Sequence, residues 1–278
     1  MIGWPVDHSR SPLIHNFWIE EHKLANAHYG RLAVPIKEAE ETFEKFAALG
    51  LIGANVTVPH KQVAYRAMSK IGQCDETARR LGAVNTIVKK PDGTFEGRNT
   101  DGYGFIENLK DQAPDWHPAA GPCTLLGAGG AARAIAAALE EAGVKDLRIV
   151  NRTKEKAESL IADLNLKSTT AYAWADLEET MSGANLLVNT TSLGMVGKDP
   201  LAVNLEGLSP AAIVYDIVYT PLHTGLLLQA KEKGHACVDG LGMLLHQAVP
   251  GFTAWFGVTP KVTPALRDLL LKDLGETT

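Results

Sequence analysis

The sequence predicts an α/β protein built from two domains, and three observations lead there. Short apolar runs alternate with stretches of helical spacing along most of the chain, the rhythm of sheets covered by helices. The length of 278 residues suits two domains of about 100–150 residues each. A Pro- and Ala-rich stretch, QAPDWHPAAGP at 112–122, reads as a linker between two such regions.

Taken in order, Ser11-Pro12 followed by LIHNFWIEEHKL reads as a helix start, with serine as N-cap and proline in the first turn. Residues 28–34 read as a strand. Ile36, Ala39, Phe43 and Ala47 recur at helical spacing. IGANVTV at 52–58 is a short β-rich run, and a helix starts after Pro59. Residues 84–99 form a hairpin about a Pro-Asp-Gly turn. Beyond the linker come a strand at 123–126, a glycine cluster, an alanine-rich helix at 131–142 and a strand at 146–150. Further strands fall at 185–190 and 212–218, with helices between. From Gly240 the chain reads as two helices split by GVTPKVTP.

Composition excludes several classes of protein. Hydrophobic residues make up 45% and charged residues 21%, which is globular and not disordered. A formal charge of −5 argues against a nucleic-acid binder. No run of 18 apolar residues exists, so no membrane-spanning helix is expected. Asp7 and His8 stand where a signal peptide needs an apolar core. Cys74, Cys123 and Cys237 are odd in number, widely spaced and without C-x-x-C. That speaks against a disulfide framework or a zinc site and for a reducing cytoplasm. His8, His15, His60 and His246 have no metal-binding spacing, so no metal is expected.

Residues 125–133 read LLGAGGAAR. Gly127, Gly129 and Ala132 fit the dinucleotide pattern, which needs a sharp turn, an approach free of side chains and a small residue where helix meets strand. The helix N-terminus then offers free N–H groups to a pyrophosphate. The next strand ends in Asn151-Arg152-Thr153, with Lys154 and Lys156 after it, where an NAD-binding chain would place an acid. An acid repels a 2′-phosphate, whereas Arg, Thr and Lys hold it. NADP is the expected cofactor.

Other polar candidates lie outside this region. Ser9 and Ser11 flank Arg10. Asn55 and Thr57 alternate with apolar residues on one strand. Lys61 opens a helix, where its charge opposes the dipole. Asn85 closes GAVN, Asp101 closes GRNTD, and Gln247 lies on the helix that begins at Gly240. Each also has a plain structural explanation: capping for Ser11 and Asp101, a solvated face for the others.

In combination these blocks resemble shikimate dehydrogenases. The blocks are HSRSPLIHN, NVTVPHK, GAVNT, NTDGYG, GAGGAAR, NRT, NTTSLGM, YDIVYTPLHT and GLGMLLHQA, in that order. The resemblance implies NADPH-dependent reduction of 3-dehydroshikimate to shikimate, a step toward chorismate and the aromatic amino acids. It implies Lys61 as proton donor and acceptor, with Asp101 as its partner. Ser9, Ser11, Thr57, Asn85, Tyr219 and Gln247 would hold the substrate. Gly127, Ala128, Gly129, Gly130 and Ala131 would cradle the pyrophosphate. Asn151, Arg152, Thr153 and Lys156 would take the adenosine phosphate. Ile217, Gly240 and Met243 would lie near the nicotinamide, and Glu76 matches a position sometimes assigned to the cofactor. It further implies a substrate domain of residues 1–102 plus 240–278 and a Rossmann-type domain of 103–239, meeting over a cleft, in a monomer or homodimer. Relatives usually carry several residues before the first glycine. Here only Met1-Ile2 precede Gly3, so a short or truncated first strand is expected.

Three alternatives stand beside this reading. A quinate/shikimate dehydrogenase differs only in substrate, and Ser11 favours shikimate because some quinate users carry threonine there. A methylenetetrahydrofolate dehydrogenase shares the two-domain plan but not the S-x-S motif or the late glutamine. A cofactor-binding protein without catalysis would be favoured only if Lys61 or Asp101 were missing.

Overall fold

The computed structural model describes residues 1–276. They fall into two compact units, one of Met1–Thr100 with the chain from Gln247 onward, the other of Asp101–His246.

The first unit opens with β1 (Ile2–Gly3), α1 (Ser11–Glu21), β2 (Leu32–Ala33) and α2 (Ala39–Glu44). It continues through β3 (Gly53–Asn55), α3 (Lys61–Ile71), β4 (Gln73–Cys74), α4 (Glu76–Leu81), β5 (Thr86–Lys89) and β6 (Phe95–Arg98). Strands β3, β5 and β6 run antiparallel, and β4 joins β6 in parallel. The pair β1–β2 lies alongside, with Ile2 bridging Val56 just beyond β3. The expected hairpin is β5–β6. The strand expected over 28–34 shrinks to Leu32–Ala33. Its upstream backbone is engaged elsewhere, because the Asn16 side chain bonds both N–H and C=O of Tyr29. Phe43, Phe46, Met68, Ile87 and Phe95 are buried in one core, each contributing on the order of 1.5–3 kcal/mol.

The second unit contains α5 (Asp101–Gln112), β7 (Cys123–Leu126), α6 (Gly130–Ala142), β8 (Leu147–Asn151), α7 (Lys154–Leu164) and β9 (Thr169–Ala173). After these come α8 (Leu177–Met181), β10 (Leu186–Asn189), β11 (Ile213–Asp216), α9 (Gly225–Glu232), β12 (Ala236–Val238) and α10 (Leu241–His246). All six strands are parallel, in the order β12-β11-β10-β7-β8-β9. Strands β7, β10 and β11 are buried at every position, as expected of a parallel sheet covered on both faces. The strand order reverses between β7 and β10. A doubly wound sheet takes its ligand beyond the carboxyl ends of the strands at that switch.

The two compact units divide at 100/101 and 246/247. Helix α10 belongs with α5: a Cβ on Gly242 would stand 1.7 Å from Asn108 Oδ1, so only glycine allows this approach. The Asn108 amide donates to Tyr215 Oη at 2.6 Å and to the Asp239 carbonyl at 2.8 Å.

Two further helices, α11 (Val249–Phe256) and α12 (Pro264–Leu274), complete the first unit. From Gly240 there are therefore three helices where two were expected. Pro250, in the first turn of α11, has no N–H and its ring clashes with the carbonyl four residues back, which separates α11 from α10. Trp255 Nε1 donates to the Ile87 carbonyl at 2.9 Å, and Trp18 Nε1 to that of Lys261 at 3.0 Å. Gly53 makes room for the Trp255 ring, since a Cβ there would lie 2.0 Å from Nε1.

Candidate active site

Six of the residues expected at the substrate or the proton lie in the first unit. Lys61 is the first residue of α3, and both sides of it are tied down. The buried His60 Nε2 bonds the Val34 carbonyl at 2.7 Å, and the Lys61 carbonyl accepts from Val84 N at 2.9 Å. A carbonyl accepts only, so His60 Nε2 is the donor in this bond.

Ser11 is not the cap of α1. Arg10 occupies that position, no side chain caps the helix, and Ser11 is its first residue. The Ser11 hydroxyl is buried and has no partner among the described residues, a state that costs about 1–3 kcal/mol unless something else bonds it. Ser9 Oγ accepts from Ser11 N at 3.4 Å.

The Asn85 side chain is fixed by Thr100. Its Oδ1 accepts from Thr100 N at 2.9 Å, and its Nδ2 donates to Thr100 Oγ1 at 3.1 Å. Thr100 Oγ1 in turn donates to the Gln247 carbonyl at 2.8 Å. This holds Gln247, which lies in the turn between α10 and α11 and not on a helix. Thr57, half-buried, packs its methyl against Gly3, where a Cβ would stand 2.4 Å away.

A buried polar cluster adjoins these residues. Asn55 Oδ1 accepts from Tyr29 Oη at 2.7 Å and from His15 Nε2 at 3.1 Å, while Asn55 Nδ2 donates to Thr86 Oγ1 at 3.0 Å. Asn55 therefore does not face solvent. His15 is stacked on Tyr29, and its Nδ1 has no partner among the described residues. Burial pushes the His15 ring down to about 3, so it is neutral.

In the second unit a cleft of about 370 Å³ opens beyond the carboxyl ends of β7, β8, β9 and β10. It brings together seven of the expected cofactor residues: Gly127, Ala128, Gly129, Asn151, Arg152, Thr153 and Lys156. Gly127 has φ +106°, a conformation that glycine adopts freely. A Cβ on Gly129 or Gly130 would meet nothing within 4 Å. The backbone is thus bare where a phosphate would approach, at the N-terminus of the 13-residue α6. Thr153 stands at the N-cap of α7 without capping it, which leaves its hydroxyl for other use. Arg152 and Lys156 are exposed, and among the described residues no side-chain hydrogen bond or ion pair engages either. This set fits a 2′-phosphorylated dinucleotide.

Trp174, Thr190, Thr191, Ser192 and Leu193 also line the cleft and were not anticipated. The signal for the last four was the NTTSLGM block. Trp174, which directly follows β9, could have been found by extending the strand-end rule to a third strand.

The remaining expected residues are not among those that line this cleft. Gly130 and Ala131 form the first turn of α6. Gly240 packs against the Ile217 carbonyl, where a Cβ would stand 2.2 Å from the oxygen. Met243 is on α10 and Tyr219 follows β11. Asp101 opens α5 as its first residue. Glu76 is exposed at the start of α4, in the first unit.

The family model described as shikimate dehydrogenase substrate binding domain matches residues 1–87. That described as shikimate / quinate 5-dehydrogenase matches 115–196, and the shikimate 5′-dehydrogenase C-terminal domain matches 240–270. A shikimate dehydrogenase (NADP(+)) of Rhodospirillum rubrum is 53% identical over 274 residues, covering 98% of this chain and 95% of that protein. Shikimate 5-dehydrogenase from Thermus thermophilus, solved in complex with NADP(H) and shikimate, matches with TM-score 0.82 at 32% identity, over 98% of this chain and 97% of that one. Quinate dehydrogenase from Corynebacterium glutamicum, solved in complex with NAD, matches with TM-score 0.87 at 28% identity, over 98% and 97%. The chain belongs to the shikimate dehydrogenase family.

Proposed function

We propose that this chain is an NADP-dependent oxidoreductase that reversibly reduces 3-dehydroshikimate to shikimate, on the route to chorismate and the aromatic amino acids. The observation that carries this reading is the 53% identity to a shikimate dehydrogenase (NADP(+)) across 98% of the chain, which spans both units. The first unit takes the substrate and the second the cofactor.

When bound, NADPH supplies the hydride. The protein's own groups do the rest. Lys61 Nζ delivers a proton to the carbonyl oxygen as it becomes an alkoxide, and its positive charge favours the developing negative charge. Asp101 is the carboxylate partner in that step. The unpartnered Ser11 hydroxyl, with Ser9, Thr57, Asn85, Tyr219 and Gln247, holds the substrate's hydroxyls and carboxylate. Gly127 to Ala131 seat the pyrophosphate. Asn151, Arg152, Thr153 and Lys156 hold the 2′-phosphate, and Ile217, Gly240 and Met243 border the nicotinamide. The enzyme works in the cytoplasm, as a monomer or homodimer. No described helix is long and apolar enough to cross a membrane.

The second reading, broader use of quinate, is favoured by the likeness to the quinate dehydrogenase. The deciding experiment follows NADPH formation from NADP⁺ with shikimate, quinate or no alcohol. Shikimate should support turnover at least tenfold more efficiently than quinate. Comparable rates would favour the second reading, and no turnover with either alcohol would overturn both.

A further inference from the structure

Asp216, at the end of β11, is fully buried and has no place in the chemistry described above. No cation among the described residues pairs with it. Three donors meet its carboxylate instead: Asn189 Nδ2 at 2.9 Å, Val218 N at 3.0 Å and Thr224 Oγ1 at 2.7 Å. Burial pushes its ionisation up to about 6 against the pull of these bonds. A carboxyl in so dry a place, with no countercharge, destabilises the fold relative to a well-packed apolar residue. What it does for the protein follows from its partners.

Asn189, at the end of β10, is also fully buried and uses both ends of its amide. Its Nδ2 donates to Asp216 and, at 3.2 Å, to the Leu193 carbonyl. Its Oδ1 accepts from Thr191 N at 3.0 Å and Thr191 Oγ1 at 2.7 Å. Thr191 Oγ1 then accepts from Leu193 N at 3.1 Å. Thr190 is anchored separately to the Leu126 carbonyl through N at 2.9 Å and Oγ1 at 2.6 Å. Residues 190–193 form one wall of the cleft. A flipped Asn189 amide would point two N–H donors at the Thr191 N–H and an oxygen at the Leu193 carbonyl. The acceptor Asp216 Oδ1 holds the amide the right way round.

We infer that Asp216 is a positioning residue for the cofactor: through the Asn189 amide it fixes the Thr190–Leu193 wall against which NADP(H) binds. The inference rests on the reading of this cleft as the cofactor site. It assigns Asp216 an acceptor role, not a charge role. Asparagine at 216 can still accept from Asn189 and Val218 through its oxygen, and its amide can donate to the Thr224 hydroxyl. Alanine can do neither.

The test is NADP⁺ affinity of the full chain, measured by fluorescence titration without substrate, together with steady-state kinetics. Asp216→Ala should raise the Kd for NADP⁺ tenfold or more. Its KM for NADP⁺ should rise in step, with kcat at saturating cofactor within threefold of wild type. Asp216→Asn should restore the Kd to within threefold. Wild-type affinity in the alanine variant overturns the inference, as does an asparagine variant as weak as alanine. Should the alanine variant not fold, Thr224→Val removes one of the three donors and should weaken NADP⁺ about threefold, whereas an unchanged Kd overturns the inference. Arg152→Ala is measured alongside. If that variant binds NADP⁺ as wild type does, the reading of the cleft fails; if it binds weakly while Asp216→Ala does not, only the role of Asp216 fails.

Discussion

Replacing Gly129 by alanine separates what the fold requires from what the ligand requires. Gly129 has φ −88° and ψ −169°, backbone angles open to any residue, and a Cβ there meets nothing within 4 Å. The folded protein makes no demand for glycine at this point. Alanine restricts the unfolded chain, worth about 0.4–1 kcal/mol, which offsets the poorer N-cap that alanine makes for α6, so stability should change little. Gly127 is the opposite case. Its φ is +106°, and a Cβ would lie 2.8 Å from Thr190 Oγ1 and 3.0 Å from Thr191 Cγ2, so alanine there is strained with or without a ligand. If the pyrophosphate is seated as proposed, a methyl at 129 would enter the space it needs. Overpacking of that kind costs about 1–3 kcal/mol, which corresponds to roughly 5- to 150-fold in affinity. Urea unfolding of Gly129→Ala should therefore show a midpoint close to that of the wild type, while the Kd for NADP⁺ rises roughly fivefold or more and the KM for shikimate stays put. Wild-type NADP⁺ affinity would refute the seat assigned to the pyrophosphate. An earlier urea midpoint would refute the claim that the fold leaves this position open.

Further outcomes follow from other sites. Lys61→Ala should lower kcat by about 10²–10⁴, the usual share of acid–base catalysis, with much smaller changes in KM; near-normal kcat would remove Lys61 from the chemistry. Ser11→Ala should leave thermal stability unchanged or higher, because the hydroxyl has no partner among the described residues, and should cut kcat/KM for shikimate several-fold with NADP⁺ affinity untouched. Arg152→Ala should reduce kcat/KM with NADPH tenfold or more and barely alter the NADH value, and the wild-type preference for NADPH should shrink as salt rises. Equal losses with both cofactors would mean that Arg152 does not read the phosphate. His15, held down to about 3 by burial, stays neutral when folded but gains a proton near pH 6.5 when unfolded. The unfolded state thus binds more protons below that pH, and stability falls as pH drops from 6.5 toward 3. Urea unfolding at pH 5 and pH 7 should show wild type losing about 2 kcal/mol more than His15→Phe on acidification, and an equal loss in the two proteins would refute the buried neutral ring.

What could be read from the sequence was what the chain encodes locally. A glycine turn between strand and helix, and a strand end that lacks an acid, are patterns of adjacent residues, and Gly127, Gly129, Arg152 and Lys156 do line one cleft. The cap of α1 was misread because Ser-Pro is a capping signature; here Pro12 takes the second helical position and moves Ser11 inside the helix. The partners of buried polar groups were not legible at all. Asn189 and Asp216 are 27 residues apart, and the Asn55 amide joins Tyr29, His15 and Thr86 across gaps of 26 to 40 residues. Asn189–Asp216 and Asn55–Thr86 follow from register in the sheets, and His15 and Tyr29 reach Asn55 through tertiary packing; adjacent residues specify neither. The place of α10 likewise depends on Gly242 meeting Asn108, a contact between distant glycine and amide that no local signal marks.

The discontinuity of the first unit bears on the order in which the chain matures. The second unit is one uninterrupted segment, Asp101–His246, and holds everything it needs once that segment has left the ribosome. The first unit does not. Trp18 waits for Lys261, 243 residues later, and the Ile87 carbonyl waits for Trp255. Synthesis normally finishes the N-terminal domain first, but here the N-terminal half is the last to close. Until the final helices emerge, the aromatic cluster around His15, Trp18 and Phe252 lacks one side. A truncation that removes α11 and α12 should therefore spare the unit in the middle of the chain and unmake the one at its beginning.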